Sequence, residues 1–94
     1  MRLWMSWTLD DVGSAGQMVD DVAAAVRALH HSVEQARRAF GADHVAWGKL
    51  RDEANRVAAQ ALDEGRAVLE RGQTWSLTLG GVYVQLIPRE RTTT

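Results

Sequence analysis

The chain has 94 residues, with 46% apolar and 24% charged side chains, which suffices for one packed core and is too well balanced for a disordered segment. Its formal net charge is −1, so it lacks the positive field that holds nucleic acid or an anionic membrane surface. Cysteine is absent, which excludes disulfides, thiolate metal centres and cysteine nucleophiles. The basic residues are almost all Arg and the commonest residue is Ala, an actinobacterial-like, GC-rich bias that carries no chemistry of its own.

At the N-terminus Leu3, Met5, Trp7 and Leu9 alternate with Trp4, Ser6 and Thr8. A period of two predicts a half-buried β-strand. The stretch does not read as a signal peptide, because Arg2 is its one basic residue and Asp10-Asp11 follow it directly. No apolar run is long enough for a membrane span, so a cytoplasmic or virion location is expected.

Asp10-Asp11-Val12-Gly13 breaks the alternation. Ser14 and Gln17 then stand at capping-box spacing, which predicts that a helix begins here. Its apolar positions are Ala15, Val19, Val22, Val26, Leu29, Val33, Ala36 and Phe40, a heptad seam of alternating four- and three-residue steps. Gly41 ends the helix and Asp43 caps a second. That seam runs through Trp47, Leu50, Ala54, Val57, Ala61 and Val68, flanked by Ala58, Leu62 and Leu69, and Gly72 closes it. Each helix is expected to span about 27 residues, or about 40 Å. Glu34–Arg38 and Asp52–Arg56 have the spacing of helical ion pairs.

Trp75, Leu77 and Leu79 alternate with Ser76 and Thr78, and beyond Gly80-Gly81 Val82, Val84 and Leu86 alternate with Tyr83, Gln85 and Ile87. This predicts a β-hairpin with a two-residue turn, both glycines being free to take positive φ. Pro88 is expected to end the pairing, leaving residues 89–94 as a polar tail on a single domain of residues 1–88.

The predicted fold is α+β, of order β-α-α-β-β: an antiparallel two-helix hairpin with a heptad-like seam on a three-stranded antiparallel sheet. A short link at Gly41-Ala42 makes the helices antiparallel, and all three strands then gather at one end. A sheet of about 20 Å covers only part of a 40 Å hairpin, so apolar surface from Val33 to Trp47 is expected to stay in water. Such a stripe marks an interface. Phe40, Val45 and Trp47 at the helical tip, and Trp4 on the outer strand face, are the candidate protein-interface residues. The competing expectation for Trp47 is that it folds back along the hairpin and covers the tip itself. Trp7 and Trp75 fall on apolar strand faces and read as core.

Catalytic and metal chemistry find little support. His30 and Glu34 share a helical face, but a metal needs more ligands than two. Asp10-Asp11 and Asp20-Asp21 are adjacent in sequence and point apart. The Arg38-to-His44 spacing is similar to the motif of the helical HEPN nucleases, which sits in a larger helical bundle. A helical hairpin with Trp47-Gly48 near its bend resembles the small type VII secretion substrates, without their spacer residue and with strands that their fold lacks. In architecture the chain is similar to small connector and tail-completion proteins of long-tailed phages. The reading is a non-enzymatic assembly protein without cofactor or metal. It is expected to self-associate or dock in a larger particle, with a phage-like connector or tail or capsid component as the form, and not to engage nucleic acid or membrane. The alternative is a regulatory binding protein (antitoxin, immunity protein or inhibitor) acting on one protein target.

Overall fold

A computed structural model describes residues 2–89. The first strand, β1 (Leu3–Leu9), forms as its alternation requires, with Leu3, Met5, Trp7 and Leu9 buried and the intervening residues half-buried. The chain then turns back through Asp10–Val12. Val12 N–H donates to the Leu9 carbonyl at 3.0 Å, and Asp11 sits at φ 64, a left-handed conformation that Asp tolerates. A second strand, β2 (Gly13–Val19), follows, antiparallel to β1 from Leu9↔Gly13 to Leu3↔Val19.

This strand corrects the expected helix start, and with it the expected element order and strand count. Ser14 is not a helix cap: its hydroxyl lies 2.8 Å from that of Thr8, its partner across the ladder. Helix α1 begins later and is shorter, Val22–Phe40, with the Asp21 carboxylate accepting from Ala24 N–H at 2.8 Å. Ala15 and Val19 therefore belong to a sheet and not to the seam.

Gly41, at φ 56, ends α1 as expected. Asp43 accepts from Ala46 N–H at 3.0 Å and opens α2 (His44–Gln60). The rod continues through a π-helical turn at Ala61–Gly65 into α3 (Arg66–Glu70). The wider turn moves the buried face: Ala61, Gly65 and Leu69 now point inward at four-residue steps. Leu69 is thus buried where the heptad placed Val68, Val68 is half-buried, and Leu62 is exposed. The buried Gly65 lies under the Trp75 indole, where a Cβ would come within 3.0 Å of the ring. Trp75 Nε1–H donates to Glu64 Oε1 at 3.2 Å.

Strands β3 (Trp75–Leu79) and β4 (Val82–Pro88) form the expected hairpin. Of its two turn glycines only Gly80 takes positive φ, at 59°. Glu53 Oε1 on α2 accepts from Gly81 N–H at 3.0 Å, and Asp10 N–H donates to the Gly81 carbonyl at 2.9 Å, joining both sheet turns to the helix layer. Pro88 does not end the pairing: it opposes Leu3, and Arg89 N–H donates to the Arg2 carbonyl at 2.9 Å. Its missing N–H falls on the β3 side, where the ladder has already stopped at Trp75↔Leu86. Residues 90–94 of the expected tail lie outside the described residues.

The sheet has four antiparallel strands in the order β2-β1-β4-β3, and the helices cover one face. The order follows from the chain, since β1 sits centrally between its own hairpin partner and the returning β4. One core runs between the layers, from Leu3, Met5 and Leu86 through Leu29 and Val57 to Leu50 at the far end. With α1 reduced to 19 residues, or about 28 Å, the sheet reaches most of the hairpin. The expectation of a bare surface from Val33 to Trp47 therefore fails: Val33, Ala36, Trp47 and Leu50 are all buried.

Candidate protein-docking interface

The tip residues divide. Trp47 is 9% exposed and lies across α1, where its indole Nε1–H donates to the Val33 carbonyl at 2.9 Å. Arg37 and Arg51 each bring a guanidinium to 5.2 Å from the ring centroid. Phe40 is half-buried against the core, and Val45 is 84% exposed. The structure does not gather Phe40, Val45 and Trp47 into one apolar cluster. Trp47 covers the tip from within its own chain, the competing expectation for this residue.

Trp4 lies on the outer face of the sheet, opposite the helices. Its ring occupies the space above Gly16 on β2, where a Cβ would meet it. The ladder places Met18 and Ile87 beside it, and Met18 is 39% exposed. An aromatic ring over a strand glycine restores the side-chain packing that the glycine lacks. Trp4 thus has a local partner as well as an open outer edge.

A different surface stands out. Strand β2 forms one edge of the sheet, and six of its seven residues are exposed. It carries no charge and no proline, and before Gln17 no side chain larger than Ser. Edge strands of soluble proteins are ordinarily protected by Lys, Pro or a bulge, because their free N–H and C=O groups recruit other strands. On the helix side an open groove of about 810 Å³ runs between β2 and α1. Gly13 and Ala15 form its floor. Its wall is a second stripe of α1, in which Ala24, Ala28, His31 and Gln35 recur at three- and four-residue steps. Arg27 and Arg38 complete the rim. The opposite edge differs: α2 lies over β3, and Leu77 and Leu79 there are half-buried.

Sequence reasoning missed this surface because Gly13–Gln17 lacks β-favouring residues and imitates a helix cap. The available signal was Leu9-Asp-Asp-Val-Gly13, a three-residue loop containing a residue that tolerates positive φ, directly after a strongly alternating strand.

The other candidates stay apart. His30 and Glu34 are exposed on α1, and no group of three His, Asp or Glu among the described residues is placed to hold a metal ion. Arg38 borders the β2 groove, whereas His44 faces a separate hollow with Lys49 and Asp52. Neither Glu34–Arg38 nor Asp52–Arg56 closes to within 4 Å. Among the described residues the ion pair is Arg51–Asp52 at 3.7 Å, with both side chains exposed. No helix among the described residues is long and apolar enough to cross a membrane. Comparison with protein-family models, with curated proteins and with solved structures finds no match to this chain.

Proposed function

We propose that this chain is a non-enzymatic assembly protein that docks through the β2 edge and the groove beside it. The observation that supports the reading is the unprotected edge: seven uncharged residues, six of them exposed, next to an open trough. Such an edge binds by strand addition, in which main-chain hydrogen bonds supply affinity and alternate side chains supply selectivity. The partner strand belongs to a second copy or to another component of the same assembly.

A regulatory binding protein acting on one protein target is the second reading. It is favoured by the difference between the two sheet edges: β2 combines a free edge with an open groove, whereas α2 lies over β3, which suits one partner at a time. Light scattering over a concentration series, combined with amide exchange of Gly13–Val19 in the presence of strand-forming peptides, tests the docking role. A multimer, or a complex in which these amides slow, supports it. Constant monomer mass with no protection by any peptide overturns it. A one-to-one complex that grows no further favours the regulatory form.

A further inference from the structure

We infer that the β2 groove receives an extended acidic segment of another protein, which joins the sheet as a fifth strand; this rests on the docking role proposed above.

The charges lining the groove carry the argument. Arg27, His31 and Arg38 project from α1, and no Asp or Glu among the described residues lines it. The chain as a whole has more acids than bases, so an acid-free trough is a local departure from its composition. Among the described residues no carboxylate lies within 4 Å of Arg27 or Arg38, and both side chains are exposed. A strand laid along β2 points every second side chain into this trough. Gly13 and Ala15 leave the floor open as far as Gln17, while Ala24 and Ala28 give an apolar wall. The side chains that fit are therefore acidic where they meet the α1 rim and small and apolar elsewhere.

The ends of β2 set a further condition. The Asp10-Asp11 turn precedes it and Asp20-Asp21 follow it, all four exposed. The acidic positions of the incoming segment accordingly lie at its centre. The same residues disfavour a second copy. In-register antiparallel pairing of two β2 strands sets Asp10-Asp11 of one chain beside Asp20-Asp21 of the other, at both ends. It also turns the two Arg27–His31–Arg38 rims toward each other. Both contacts are like-charged and unfavourable. A nucleic-acid strand meets the same flanking acids, and the groove offers its bases no exposed Phe, Tyr or Trp on which to stack.

The test is peptide binding to the intact protein, read by fluorescence anisotropy at low and high salt. The probes are three extended peptides whose central groove-facing positions carry Glu, Gln or Lys. The Glu peptide should bind about tenfold more tightly than the Gln peptide at low salt, and the Lys peptide most weakly. The surface variant Arg27→Glu/Arg38→Glu should reverse that order, while Arg27→Gln/Arg38→Gln should level it. Equal affinity for Glu and Gln peptides, with β2 amides protected by both, overturns the acidic preference and leaves the docking role standing. Protection of β2 by none of the peptides overturns both. A single-stranded oligonucleotide that competes as well as the Glu peptide overturns a protein partner, and a β2-dependent dimer overturns the exclusion of a second copy.

Discussion

Trp47 shows how a single side chain can close an apolar tip. Its ring fills the gap between α1 and α2, its N–H satisfies the Val33 carbonyl, and two arginines approach its π-system. Replacing it with Ala removes all three and leaves a cavity, so Trp47→Ala should cost about 3–5 kcal/mol in urea titration. Solution mass should not change, because the ring serves its own chain. Val45, two residues earlier and on the other side of α2, is the contrast: Val45→Ser should alter stability by less than about 0.5 kcal/mol. The turn glycines divide in the same way. Gly80 has positive φ and sits against the Glu53 carboxylate, so Gly80→Val should lower the melting temperature more than Gly81→Val.

At the scale of elements, the core side of α1 follows its spacing at Val22, Leu29, Val33 and Ala36, whereas Ala25 takes the buried place expected of Val26, which is half-buried. Leu29 is buried between the layers, and Leu29→Ala should cost about 2–5 kcal/mol by denaturant titration. Glu53 ties α2 to the β3–β4 turn by accepting from Gly81 N–H. Glu53→Ala leaves that donor without its partner and should cost about 1–3 kcal/mol, with faster exchange of the Gly81 amide. The π-helical turn has a packing cause. An α-helical heptad would carry Val68 to the core, but the extra residue at Ala61–Gly65 brings Gly65 beneath Trp75 and Leu69 inward. The heptad seam was legible up to Ala61 because burial follows helical period there. Beyond it the register depends on a tryptophan fourteen residues downstream, which periodicity cannot see.

At the scale of the whole molecule, helices cover one face of the sheet, and β2 lies at the edge beyond their full cover. Placing a charge in the trough should separate folding from docking. Ala15 is exposed, so Ala15→Glu should leave unfolding free energy within about 0.5 kcal/mol of the parent while abolishing strand addition by an acidic segment. Loss of stability with this variant would instead make the inner face of β2 part of the core.

The sequence alone determined most of the core: the alternation of β1 and of the β3–β4 hairpin, the helical seams between Val22 and Ala36 and between Trp47 and Ala61, and the glycine and aspartate signals at Gly41, Asp43 and Gly72. Each is local, set by the period of apolar residues or by the conformational freedom of one residue. What only the tertiary structure decided is β2, and with it the strand count, the length of α1 and the location of the open surface. Gly13–Gln17 has no strong preference for strand or helix, so its state is chosen by the partner it meets. The ladder offered by β1 outweighs one imitation of a capping box, and the length of chain given to that strand lets the sheet cover the hairpin nearly to its tip. The candidate interface moved for the same reason. Trp47 was readable as a large apolar side chain near a bend, but whether it faces solvent or its own chain depends on how closely two helices pack. An unprotected sheet edge exists only once the strands have been put in order.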